Sequence, residues 1–462
     1  MRPCLGARMR APNGAAHVRL RQSAHAPIGK TSTSAFDNHV TASAAGSRRL
    51  RHAVPRMRIC IVYDCLFPYT VGGGERWYRN LAERLSEEGH EVTYLTLRQW
   101  DRGVRPEISR GRVQVVSVGP RMALYTDDGR RRILPPLVFG VGVLWHLLVH
   151  GRRYQVVRPS SFPYFSLLSA ALVRPLMRFQ LEVDWFEVWS DEYWREYLGG
   201  LGGRVGGLVQ RACARIPQRA FCLSKLHAER LREEGLRGEP TVLRGLYTGP
   251  TEAVALSTYN APDAPGAANP PNIPAAPNAA SETVLFAGRL IPEKQASLAV
   301  AAIAKAKRQI PGLRGMIVGD GPEHDAVRGA IAELGLREAV SAPGFVSSET
   351  VDEQMRAALC LLLPSKREGY GMVVVEAAAR GTPSIVVAGP DNAATELIEE
   401  GVNGFVCESS DPEAIAEAIV RVHDASAALR ASTARWFEEH ARELGLESSL
   451  RTVLADYESA RA

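Results

Sequence analysis

Two glutamates eight positions apart, Glu368 and Glu376, lie in the run PSKREGYGMVVVEAAARGTPSIVV at 364–387. The apolar tetrapeptide CLLL at 360–363 before it reads as a buried strand, and SIVVA at 384–388 reads as a second. Between them stand a polar turn, Glu368–Gly369–Tyr370–Gly371–Met372, and a helix of small residues starting near Gly371. One acid is thus in a loop and the other about a turn and a half into a helix. Open parallel sheets bind ligands at the carboxyl ends of their strands. An acidic pair there suits the hydroxyls of a sugar and a ribose. Two solvated surface acids would give the same spacing, so the strand flanks and the Gly-Tyr-Gly insert carry the argument.

Three other segments supply matching chemistry. FAGRLIPEK (286–294) sets Arg289 at a strand end with Lys294 five residues on. A planar guanidinium fork and a compact ammonium can hold a diphosphate from two sides; the alternative is a surface cluster in which Glu293 pairs with either base. VGGGERWYRNL (71–81) places Gly72, Gly73 and Gly74 after the first strand and before a helix opening at Glu75. Such a turn lets backbone approach a ligand and aims free N–H groups at an anion, though a plain strand-to-helix turn reads the same. LEVDWFEVWSDEYWREYLGG (181–200) mixes aromatic and acidic residues, including Asp184, Trp185, Glu187 and Trp189. It fits either a sugar-stacking cleft or the packed face of an amphipathic helix.

The 364–387 run resembles the E-x7-E motif of family 4 retaining glycosyltransferases, and the likeness extends from Met57 over most of the chain. That resemblance implies an α/β fold of GT-B architecture: two facing Rossmann-like domains with parallel sheets and an interdomain cleft. It places Glu368 by the transferred sugar, Glu376 by the nucleotide ribose, and Arg289 and Lys294 on the diphosphate. It makes Arg289, Lys294 and Glu368 the expected catalytic groups. Gly72–Gly74, Gly344, Phe345, Val346 and Gly369–Met372 would border the donor, a nucleotide-diphospho-sugar. Gly319, Gly321 and the 392–395 segment fall near it too, although turn or capping roles alone would explain them. Many relatives carry a first-domain His beside the reacting sugar; here that slot reads Phe186, leaving Asp184 and Glu187 to fill it. The acceptor would be a glycan, a lipid-linked glycan or a small molecule. No D-x-D occurs at a convincing strand end, so neither metal nor cofactor is expected. A GT-B epimerase or phosphorylase, and a non-catalytic carbohydrate-binding scaffold, are the rival readings.

The elements that would position these residues follow βαβ grammar from Met57 onward. The expected division is a basic leader at 1–56, a first domain at 57–248, and an Ala/Pro/Asn-rich linker at 249–282. A nucleotide-sugar domain would follow at 283–425, with helices at 426–462 crossing back to the first. The net charge of +6 belongs to the leader, whose ten Arg or Lys face one acid, Asp37, leaving −3 for the rest. A nucleic-acid partner is therefore not expected. The leader has no apolar core of a secretory signal and reads as disordered, from an early start codon or a transit peptide. Cys4, Cys60, Cys65, Cys213, Cys222, Cys360 and Cys407 lack paired spacing, which suits a reducing, cytoplasmic setting and argues against zinc. The run 133–150, ILPPLVFGVGVLWHLLVH, is shorter than the about 20 residues of a span and is interrupted by Pro135, Pro136 and His146. It reads as a buried domain helix; a helix lying in the membrane interface, on the inner face of the plasma membrane, is the alternative.

Overall fold

The computed structural model describes residues 56–70, 72–101, 103–104, 106, 108, 112–124, 126, 131–249 and 282–459. The basic leader, apart from Arg56, and the Ala/Pro/Asn-rich segment at 250–281 lie outside the described residues.

The first sheet is built from β1 (Arg58–Val62), β2 (Glu91–Leu97), β3 (Val113–Gly119), β4 (Val156–Pro159), β5 (Gln180–Trp185), β6 (Arg219–Cys222) and β7 (Thr241–Val242). Its order is β3-β2-β1-β4-β5-β6-β7, with every pairing parallel. Central strands carry continuous apolar runs, ICIV in β1 and VV in β4, because both faces are covered by helices. Those helices are α1 (Gly73–Glu87), α2 (Leu134–His150), α3 (Phe165–Met177), α4 (Asp191–Ala214) and α5 (Lys225–Glu233).

The second sheet repeats the plan. β8 (Thr283–Ala287), β9 (Arg314–Val318), β10 (Val340–Gly344), β11 (Cys360–Leu363), β13 (Ser384–Val387) and β15 (Gly404–Cys407) lie in the order β10-β9-β8-β11-β13-β15, again all parallel. Two short strands, β12 (Arg367–Glu368) and β14 (Asp391–Asn392), pair separately. Helices α6 (Ala296–Ala306), α7 (His324–Glu333), α8 (Ser348–Ala357) and α9 (Met372–Ala378) are the crossovers. The order reverses between β1 and β4 in one sheet and between β8 and β11 in the other. Those reversals open the crevices where such sheets hold ligands.

The expected boundary at 426 falls inside one unbroken helix, α10 (Pro412–Leu444). Its first half packs in the second core through Ile415, Ile419 and Val422. A sharp turn at Gly445 then starts α11 (Leu446–Ser459), which reaches the first sheet. There the Tyr457 hydroxyl donates to Glu182 at 3.0 Å, and Arg219 pairs with Asp456 at 2.5 Å.

The run at 133–150 departs from the buried helix expected. In α2 one face is buried through Phe139, Val143 and Leu147, while the other presents only apolar side chains to solvent.

Candidate active site

Strand β8 ends at Ala287, and the Gly288 N–H donates to the Val318 carbonyl at 3.0 Å, turning the chain out of the sheet. Arg289 is exposed there, and its side chain has no hydrogen-bond or ion-pair partner among the described residues. A short 3-10 turn, Pro292–Lys294, then brings Lys294 back. Its ammonium forms an ion pair with Glu368 Oε1, the same oxygen that accepts from Ser365 Oγ at 2.8 Å. Lys294 and Glu368 therefore meet at the carboxyl ends of β8 and β11, the two strands flanking the reversal.

Gly371 caps α9 at φ +95°, and a Cβ there would stand 2.7 Å from Ala394 Cβ, so conformation and space both require glycine. Glu376, further along α9, is 29% exposed and faces Arg76 of α1, with Nη1 3.5 Å from Oε1. Burial raises its carboxyl above the usual range, while Arg76 and Arg380 pull against that shift. The two acids thus meet different cations. β10 ends at Gly344 (φ +83°), followed by Phe345, 75% exposed, and the half-buried Val346.

The glycines of the first domain come up against this edge. Gly72 is the N-cap of α1, and a Cβ on Gly73 would stand 3.2 Å from Met372 Sδ of the second domain. A Cβ on Gly74 would crowd the Tyr63 hydroxyl at 2.9 Å and Phe186 at 3.1 Å. A Cβ on Gly369 would clash with the Phe186 carbonyl at 2.6 Å. The helix opens at Gly73, two residues before the expected Glu75, whose buried carboxylate folds back toward Gly72.

Four expectations require correction. Asp184 and Trp185 lie inside the sheet because β5 continues through both, so 181–200 is a strand and then a helix, not one helix. Asp184 is buried and holds Arg158 through two hydrogen bonds, at 2.5 and 2.9 Å; Arg158 also reaches Glu182 at 3.1 Å. Trp185 is buried and donates to Gln218 at 2.9 Å. Trp189 is buried as well, its ring 4.6 Å from that of Trp194, so it offers no open stacking face. The Tyr370 ring is also buried; its hydroxyl donates to the Arg244 carbonyl of the first domain, so the side chain is already engaged between the domains. Glu187 does reach the domain boundary, where it accepts from Trp189 Nε1 at 2.7 Å and pairs with Arg367.

Arg367 was invisible to sequence reasoning, as was the network around it. Its guanidinium lies 4.9 Å from the Trp189 ring centroid and 4.6 Å from that of Tyr193. Burial pulls its pKa down to about 10, so it stays charged at neutral pH. Arg230 of α5 holds Asp391 at 2.5 Å and the Pro390 carbonyl at 2.6 Å. Glu396 accepts the Lys225 and Leu226 N–H groups at 2.9 and 2.7 Å, serving from the second domain as the anion at the start of α5. His227 accepts from the Val188 N–H at 3.2 Å, and burial lowers it to about 4, so it is neutral. Asn392 caps the 3-10 turn Ala393–Leu397 by accepting from the Ala394 N–H at 3.0 Å.

The two halves match two family models: "Glycosyl transferase 4-like domain" over residues 72–245 and "Glycosyl transferases group 1" over 273–443. Together they cover about three quarters of the chain. The chain belongs to the group 1, family 4 glycosyltransferases of GT-B fold. Among curated relatives it is 37% identical over 152 residues to an exopolysaccharide phosphotransferase of Streptomyces coelicolor, which is 32% of this chain and 16% of that protein. It is 32% identical over 188 residues to a D-inositol 3-phosphate glycosyltransferase of Acidothermus cellulolyticus, 39% of this chain and 41% of that one. The chain thus spans less than half the length of both relatives. Its fold is similar to that of sucrose-phosphate synthase from Thermosynechococcus elongatus, with a TM-score of 0.69 at 19% identity over 88% of this chain and 99% of that one. Anabaena HepE, solved in complex with UDP, gives a TM-score of 0.61 at 17% identity over 87% of this chain and 100% of that one.

Proposed function

We propose that the chain transfers a sugar from a nucleotide-diphospho-sugar to an acceptor, with retention at the anomeric carbon and without a metal. The observation that carries this reading is the juxtaposition of Lys294 and Glu368 at the β8–β11 reversal, with exposed Arg289 beside it and the glycine turn of α1 opposite. Lys294 and Arg289 would hold the diphosphate and neutralise the charge that develops as the bond from the anomeric carbon breaks. Glu368 would contact the sugar and Glu376 the ribose. The new bond forms between the anomeric carbon and an acceptor hydroxyl oxygen, whose proton passes to the departing diphosphate. Water would be kept out by the packing of Gly73 against Met372 and of Gly369 against Phe186. Phe186 places an apolar ring where many relatives carry a His, so the first domain would add packing there and no proton transfer.

The acceptor is proposed to be a glycan or lipid-linked glycan bound on the first domain, and the setting to be cytoplasmic. The purified chain, offered a panel of UDP-, GDP-, ADP- and TDP-sugars, should release nucleoside diphosphate from one of them. No release from any donor would count against the reading.

A further inference from the structure

Every exposed position on α2 carries an apolar side chain. Leu134, Leu137, Val141, Trp145 and Leu148 recur at the three-and-four spacing of one helical face, with Val141 66% and Trp145 70% exposed. Helix α3 repeats the pattern with Leu168, Leu172 and Leu176, Leu172 being 72% exposed. A soluble helix turns such a stripe toward the core; these two turn it outward.

The two stripes form one surface. A Cβ on Gly140 would stand 2.7 Å from Phe165 Cβ, and one on Gly151 would stand 2.8 Å from Met177 Cγ. Helices α2 and α3 therefore run side by side in the same direction from Gly140 to the end of α2. At their shared carboxyl end Arg152, Arg153 and Arg178 are exposed. No Asp or Glu occurs anywhere between Asp128 and Glu182, so neither helix brings an anionic group to the surface. The crossovers from β3 to β4, β4 to β5 and β5 to β6 run in one direction across the sheet. Right-handed connections then put α4 on the same side, and Leu201, Val205 and Leu208 of that helix are exposed as well.

We infer that this α2–α3 face docks on a membrane surface carrying anionic lipid. Apolar side chains flanked by arginines, without carboxylates, match the acyl boundary and the negative headgroups at once. A second copy of the chain would set the Arg152, Arg153 and Arg178 cluster against its own like charges if the faces stacked in register, so lipid is the better complement. The start of α2 is tied to the first-domain glycine turn, since Arg131, just before α2, pairs with Asp64, the neighbour of Tyr63, whose hydroxyl lies against Gly74. An acceptor held in the bilayer would thus be within reach of the cleft. The docking inference itself needs no donor chemistry.

Flotation of the full chain with vesicles of equal parts phosphatidylcholine and phosphatidylglycerol, without donor, tests this directly. The wild type should float with them and much less with phosphatidylcholine alone. A doubly substituted Trp145→Ser/Leu172→Ser chain should bind about tenfold or more weakly with an unchanged unfolding midpoint, both side chains being exposed. A charge-reversed Arg152→Glu/Arg153→Glu/Arg178→Glu chain should lose the preference for the anionic vesicles. The proposal is overturned if the wild type does not float with anionic vesicles, or if both variants float as well as it does. Sedimentation showing a dimer that the Trp145→Ser/Leu172→Ser chain dissolves would overturn it too, because the face would then belong to a second copy. Loss of donor hydrolysis without loss of flotation would count against the transfer reading alone.

Discussion

Lys294 and Glu368 are partners of each other: the ammonium rests on the carboxylate oxygen that Ser365 Oγ also holds at 2.8 Å. A bound diphosphate would compete with Glu368 for Lys294. Glu368→Gln keeps the shape and frees the ammonium, so nucleoside-diphosphate affinity should stay or rise by up to about tenfold, while turnover of the full donor falls sharply. Calorimetry with the diphosphate, beside turnover, separates the two effects. A fall in both would show that the carboxylate shapes the phosphate site instead of serving the sugar.

Arg367 ties the two domains by stacking on Trp189 and Tyr193 and pairing with Glu187. Arg367→Ala leaves Glu187 without its cation and should cost about 2 kcal/mol or more. The unfolding midpoint should fall, and the boundary between the domains should become more open to proteolysis. An unchanged midpoint and digestion pattern would show that the remaining contacts, such as Arg230 with Asp391, hold the boundary alone.

The buried Arg158 serves two carboxylates, and Asp184 takes it with both oxygens. Glu182 is left as the weaker partner, and burial raises it from the usual 4.5 to about 7. Because the folded chain holds this proton more tightly than the unfolded one, the contribution is complete below about pH 4.5 and is lost as pH rises through 7. Its size is on the order of 3 kcal/mol. Glu182→Gln should flatten the fall in stability between those pH values relative to wild type, read from denaturation midpoints. Parallel profiles for the two chains would contradict the assignment.

Much of the fold is legible in the sequence because both sheets are covered on each face. Runs such as ICIV, VLFA and CLLL are therefore continuously apolar. The Glu368 and Glu376 unit is legible for the same reason, as the glycine at 371 marks the helix start. The 181–200 segment misleads because β5 buries an acid, Asp184, whose partner Arg158 lies 26 residues earlier on another strand. Helix α2 misleads in the other direction: hydropathy alone does not say which face of an apolar helix meets solvent. Arg367, Arg230 and Glu396 carry no local signal at all, since each finds its partner more than 150 residues away.

The central claim is that Arg289, Lys294 and Glu376 hold a nucleoside diphosphate at the β8–β11 reversal, and calorimetric titration of the full chain tests it most directly. The wild type should bind one nucleoside diphosphate well and the matching nucleoside only weakly. Lys294→Ala and Arg289→Ala should each remove a charge-assisted hydrogen bond worth about 1.5–3 kcal/mol, reducing diphosphate affinity while sparing the nucleoside. Glu376→Ala should weaken both, through the ribose. If the three variants bind the diphosphate as tightly as the wild type, the donor does not bind at the β8–β11 reversal.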